Sequence, residues 1–333
     1  MEEFKARQVT LEEAHLEDKK TRNMKNIGKS GKHGFDFSIF LSSLLPMLML
    51  LLIQLVAFMP TIFPAAMKVM SDPEFASLAQ DTLAYTAKVM EVAGSSIQYS
   101  YLAYVILALA YFIWRYMTSV VKPSGRYSPK GAFTKKGFPF VMICILGLWG
   151  FTEGFMEAVR VLAPEVIEQY SELVSATGLT QMTPVIMIVV WLLGPVVEEL
   201  CFRGLTYNRL LSAGVKIAAA VVVQGLFFGV FHMNLVQSVY AFVMGCAIGF
   251  FYERYKSILV SISCHVLFNL LGTVLSGTLE HLKIGTPAYI VIGVCGIALA
   301  IFAVIMVCKD PDVPQRDNAA DKEDDVVSEA VSS

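Results

Sequence analysis

Residues 183–203 read TPVIMIVVWLLGPVVEELCFR. A run of aliphatic and aromatic side chains over 185–193 leads into Gly194-Pro195, and the acids Glu198 and Glu199 and the base Arg203 follow within three turns. An apolar stretch of this length suits a helix crossing a hydrocarbon core about 30 Å thick. The Gly-Pro pair starts or bends such a helix. A bent backbone at membrane depth is tolerated where it is enclosed by protein or lines a wet cavity. Charges there are costly, roughly 2.5–3.5 kcal/mol for an Asp, Lys or Arg at the centre of a spanning helix. The segment therefore poses one question for the whole chain: whether its charges mark the end of a span or form a site inside one.

The rest of the sequence repeats the apolar pattern. Of 333 residues, 56% are hydrophobic and 16% charged, against about 25% charged in soluble domains, and mean hydropathy is +0.60. Eight spans are predicted, near 39–59, 98–118, 138–157, 183–203, 215–233, 236–252, 257–276 and 287–308. The expectation is an all-α, polytopic transmembrane bundle in the cell membrane. The stretch 65–96 is read as an amphipathic extramembrane helix. The first apolar run begins near Ser38, too long and too far in for a cleavable leader. No internal repeat is visible.

Charge placement sets the expected orientation. Residues 19–32 hold six basic groups and no acid, and Lys122, Arg126, Lys130, Lys135 and Lys136 form a second acid-free basic loop. Both are expected on the cytoplasmic side. Glu165, Glu168 and Glu172 place 158–181 outside, and an even number of spans returns the C-terminus to the cytoplasm. The chain thus divides into a charged tail (1–36), N-terminal spans (37–182), a core (183–308) and an acidic tail (309–333), the tails solvated. The net charge of −2 and the lack of an exposed basic domain give no sign of a nucleic-acid partner. The partners expected are the bilayer and a membrane-associated protein or peptide. Six cysteines, all in or beside apolar runs and none in a CxxC pair, read as small buried hydrophobes.

Four polar groups stand out in the core. Glu199 and Arg203 are four apart and can pair on one helix face, leaving Glu198 about 100° round the helix. His232 ends an apolar helix, with Phe228 one turn before it. His265 and Asn269 share a face in mid-span, where an interhelical hydrogen-bond pair is the structural alternative. Glu253 and Arg254 read as interfacial anchors. A carboxylate and a histidine can hold and deprotonate a water, while a second histidine and an amide can donate to the oxyanion of a tetrahedral intermediate. The same residue types could instead hold one Zn²⁺ through Glu198, His232 and His265 with a position open for water.

In this order the three motifs, Glu198-Glu199 to Arg203, Phe228 to His232 and His265 to Asn269, match EExxxR, FxxxH and HxxxN without substitution. Over about 183–275 the chain thereby resembles the CAAX-protease and bacteriocin-processing (CPBP) family of intramembrane proteases. The resemblance implies a helical endopeptidase whose site lies inside the bilayer and opens to the cytoplasm. It implies Glu198 as general base, His232 as a water-binding group, His265 and Asn269 as the oxyanion hole, and Glu199, Arg203 and Phe228 as supporting residues. Family members are described both as metal-free glutamate enzymes and as zinc enzymes. Substrates would be prenylated CAAX proteins or peptides of bacteriocin maturation and self-immunity. No HExxH, GxSG or paired YD and GxGD motif points to another intramembrane protease. The alternatives are a non-catalytic scaffold or regulator with the same fold and, further off, a transporter using the buried acids as a proton relay. Hydropathy sets Glu198 toward the cytoplasmic end of its span and His232 toward the outer end of the next, whereas the resemblance requires them to meet.

Overall fold

The structure is a computed structural model, and it describes residues 35–71, 73, 81–121, 137–177 and 182–310. The basic stretch 19–32, the loop of Lys122 to Lys136 and the tail beyond 310 lie outside the described residues. The described residues are helical throughout, without a strand, as expected for a bundle in which every backbone group must bond within its own segment.

A short helix α1 (Phe37–Ser42), N-capped by the Asp36 carboxylate, leads into α2 (Leu45–Ser71), α3 (Thr82–Ala93) and α4 (Ile97–Tyr116). The stretch 65–96 is thus shared between the end of α2 and α3. Next come α5 (Gly137–Leu162), α6 (Pro164–Ala176) and a helical run α7 (Pro184–Ser212). The chain ends in α8 (Ile217–Phe231), α9 (Leu235–Tyr255), α10 (Ile258–Leu282) and α11 (Thr286–Cys308). Seven of these helical runs are long and apolar enough to cross a membrane. The eighth expected span, 215–233, is α8, with only 15 residues, about 22 Å at 1.5 Å per residue and shorter than a hydrocarbon core. The ends of α8 fall within two residues of the expected ones. Met233, at φ 52°, breaks the helix, and the Asn234 side chain caps the next one by accepting from the Gln237 N–H at 2.7 Å.

Two close helix pairs frame the core. α5 and α11 meet through glycines, and a Cβ at Gly147 would lie 2.6 Å from the Gly296 carbonyl oxygen. α8 and α9 form a hairpin in which a Cβ at Gly229 would lie 2.6 Å from the Ser238 carbonyl oxygen. Small residues let backbones approach in this way inside membranes. Helix α7 runs into the middle, and Leu200 to Tyr207 are all buried. Leu, Ile, Val and Phe side chains of α2 and α11 remain exposed on the outside, as a lipid-facing surface requires. All six cysteines are free; Cys144, Cys201 and Cys264 are buried, whereas Cys295 and Cys308 are exposed.

Candidate active site

The local chemistry of α7 builds the site. Thr183 caps its start and Pro184 occupies the first turn. Over Val189–Leu193 the helix widens into π-type turns, and the Gly194 N–H reaches back five residues to the Val189 carbonyl. The next wide-turn donor would be residue 195, but Pro195 has no N–H. The Val190 carbonyl is therefore left for a side chain, and Asn269 of α10 donates to it through Nδ2 at 2.9 Å. A second wide stretch covers Leu200–Tyr207, where Asn208 Nδ2 donates to the Arg203 and Gly204 carbonyls at 3.2 and 2.9 Å. Single-turn π segments concentrate at functional sites.

Between these wide turns lie the charged residues. Arg203 Nη1 donates to Glu199 Oε1 at 2.8 Å, and both side chains are 0% exposed. Arg203 Nη2 donates to the Gly245 carbonyl of α9 at 3.0 Å, which also accepts from Gln224 Nε2 of α8 at 2.9 Å. The guanidinium carbon stands 4.8 Å from the Phe228 ring centre. A buried guanidinium is tolerated only when paired and hydrogen-bonded in this manner. The predicted Glu199–Arg203 pair thus forms in the protein core, not at the end of a span.

His265 binds the same carboxylate. Its Nδ1 lies 2.8 Å from Glu199 Oε1. A carboxylate that already accepts from Arg203 can only accept again, so Nδ1 carries the proton and Nε2 is left facing Glu198. Glu198 Oε2 is 3.7 Å from that nitrogen, too far for a direct hydrogen bond. Glu198 keeps 18% of its side chain exposed, against none for Glu199. Of the two adjacent acids, Glu198 alone is free of the arginine and reachable.

Phe228 joins the second motif to the third. Its ring is edge-on to His232 at 4.9 Å and to His265 at 5.6 Å. His232 Nδ1 lies 2.9 Å from the Phe228 carbonyl oxygen. A carbonyl only accepts, so Nδ1 bears the hydrogen and Nε2 presents a lone pair. All three motifs therefore meet at one place. They meet although hydropathy set them at different depths, because the helical run of α7 does not end at the charged residues but continues beyond Arg203 to Ser212.

The zinc alternative fares differently. Among the described residues no group of three or more His, Cys, Asp or Glu side chains is spaced to hold a metal ion. His265 has committed one nitrogen to Glu199, and Glu198, His232 and His265 do not converge as a three-donor set.

Sequence reasoning missed three polar networks, two at the site and one farther along α10. Gln224 shares the Gly245 carbonyl with Arg203. Trp191 Nε1 donates to Thr273 Oγ1 at 3.0 Å, and that hydroxyl donates to the Asn269 carbonyl at 3.0 Å. On α5, Glu153 accepts from the Ser276 hydroxyl, which itself accepts from Trp149 Nε1 at 3.1 Å. Glutamine and glutamate inside apolar runs were the signals available for the first and third. Glu253 accepts from Tyr207 at 2.8 Å and pairs with Lys256, while Arg254 donates to the carbonyls that end α11, as anchors would.

Residues 180–271 match the family model described as type II CAAX prenyl endopeptidase Rce1-like. A Bacillus subtilis (strain 168) protein named "Putative membrane peptidase YdiL" is 30% identical over 89 residues, covering 27% of this chain and 36% of that protein. The chain thus spans about a third of the length of that relative. No solved structure gives a significant match. The resemblance carried by the three motifs is borne out over the matched region. The protein is a multi-pass membrane protein whose residues 180–271 are similar to the CAAX prenyl endopeptidase Rce1-like model.

Proposed function

We propose that this protein is an intramembrane endopeptidase in which Glu198 activates the attacking water. One observation carries the reading: Glu198, not paired with Arg203, faces His265 Nε2 at 3.7 Å, while Glu199 holds the other side of the same imidazole. Glu198 takes a proton as the water oxygen attacks the peptide carbonyl carbon. The tetrahedral intermediate collapses as Glu198 returns that proton to the departing amine nitrogen and the C–N bond breaks. His232, with its Nε2 lone pair available, accepts a hydrogen bond from the water. The second N–H of Asn269 donates to the oxyanion, and His265 is the other donor when Nε2 carries a proton taken from solvent before the substrate binds. Glu199, Arg203 and Phe228 keep the two histidines in place. The substrate is a membrane-associated protein or peptide, with a prenylated CAAX terminus as the first candidate and a bacteriocin-type peptide as the second. The site opens to the cytoplasm of the cell membrane, the side on which the tails also lie.

The test is cleavage of farnesylated CAAX peptides by the purified full-length protein, with Glu198→Gln alongside and with and without a strong zinc chelator. Wild type is expected to cleave in both conditions. Glu198→Gln should lose at least about 10²–10⁴ in rate, the range of a general base, with an unchanged melting temperature. Equal cleavage by the variant would remove Glu198 from the mechanism and favour the scaffold reading for any function that persists. Loss of wild-type activity on chelation would restore the metal alternative.

A further inference from the structure

At the end of the bundle where α2 begins and α4 and α7 end, a half-open groove of about 330 Å³ lies apart from the candidate active site. Arg115 of α4 and Arg209 of α7 line it, with no acidic residue in the lining. Among the described residues neither guanidinium forms an ion pair. Arg209 Nη1 donates to the Ser42 carbonyl at 2.7 Å, and the Arg115 guanidinium carbon lies 5.5 Å from the Trp114 ring centre. Like charges brought to one groove disfavour each other unless an anion lies between them. A guanidinium fork suits the oxygens of a phosphate.

The other wall is apolar and extends along the membrane. Leu45, Leu48 and Leu52 fall on one stripe of α2 at helical spacing, and they are 54%, 51% and 50% exposed. The stripe starts beside the arginines and runs into the apolar length of α2. A free phosphate has no use for such a wall. A molecule with a phosphate at one end and a hydrocarbon chain at the other uses both.

We propose that this groove binds an anionic phospholipid, its phosphate between Arg115 and Arg209 and the start of an acyl chain along Leu45, Leu48 and Leu52. By the placement of basic residues this end of the bundle faces the cytoplasmic leaflet, where anionic lipids and basic side chains attract. The proposal is independent of catalysis, because no residue of the groove belongs to the three motifs.

The full-length protein in mild detergent tests it, with lipid retention read by native mass spectrometry and stability by thermal shift. The probes are phosphatidylglycerol, phosphatidylcholine of the same chains, and inorganic phosphate. Phosphatidylglycerol should bind more tightly than phosphatidylcholine by roughly fivefold for each arginine, the equivalent of about 1 kcal/mol per basic group at a membrane surface. Arg115→Gln removes no structural hydrogen bond and should lower the preference about fivefold. Leu48→Trp fills the apolar wall, leaves both charges in place, and should displace the lipid. Equal retention of the two lipids would overturn the proposal, as would equal stabilisation by inorganic phosphate. So would a preference that survives Arg115→Gln, which would assign it to other basic segments, or displacement of phosphatidylglycerol by a prenylated peptide carboxylate, which would make the groove part of the substrate path.

Discussion

Two acids inside this membrane protein are partnered in opposite ways. Glu199 is enclosed completely and answered by Arg203 and His265, which share its Oε1 while Oε2 is buried with no hydrogen-bond partner among the described residues. Glu153, half-buried on α5, is answered by neutral donors, the Ser276 hydroxyl and behind it the Trp149 indole. Both partner sets reach across to α10, whose His265 and Ser276 are eleven positions apart, about 16 Å along the helix. A carboxylate held by an arginine also fixes the imidazole that shares it. One held by a hydroxyl is tied to a neutral neighbour. On the proposed mechanism the first arrangement serves chemistry at its neighbour, Glu198, and the second joins two helices; the kind of partner, not burial alone, would then separate a functional acid from a structural one.

The largest effect that would break this contrast comes from the charged set. Arg203→Ala leaves Glu199 buried without its counter-charge, and removal of one partner of a buried pair costs about 3–5 kcal/mol. The expected outcome is a large fall in folded protein, measured by size-exclusion and thermal denaturation in detergent, together with loss of cleavage. A variant that folds normally would mean that Glu199 is protonated and that the ionic half of the comparison is wrong. Next is Asn269→Ala. Loss of one oxyanion donor lowers turnover by roughly 10²–10³, and the bare Val190 carbonyl lowers the melting temperature as well. If only the melting temperature falls, Asn269 is a positioning residue for the bend at Pro195. The smallest effect belongs to the neutral set. Glu153→Gln keeps an acceptor for Ser276, so stability should change by no more than about 1 kcal/mol and cleavage should remain at the wild-type rate. A large loss of activity there would move Glu153 into the site.

What could be read in advance follows the same division. Apolar runs and i, i+4 spacing are local properties, so the all-α bundle, the Glu199–Arg203 pair and the His265–Asn269 face were legible. The family resemblance supplied the grouping of the three motifs, which no single helix contains. The partner of Asn269 was not legible, because Val190 becomes an open acceptor only once a wide turn meets a proline without an N–H. Ser276 and Glu153 were hidden for another reason: serine is unremarked in an apolar helix, and the pair is separated by 123 positions. The end of α8 at Met233-Asn234 was legible to within two residues; what hydropathy did not show is that trimming both ends, to Ile217 and Phe231, leaves the run shorter than a full span.

The shortness of α8 has a mechanical consequence. Beside α8 the protein offers lipids an apolar wall only about 22 Å high, and the turn beyond it projects Met233 and Leu235, 72% and 75% exposed, next to His232. A bilayer adapts to a short hydrophobic element by thinning around it, at a fraction of a kcal/mol per Å. The leaflet next to the candidate site is thus expected to be dimpled, shortening the distance a polar peptide backbone must travel through hydrocarbon. Turnover in liposomes of graded acyl-chain length reads this directly: a decline as the chains lengthen supports a dimple, and a rate indifferent to thickness leaves α8 merely short.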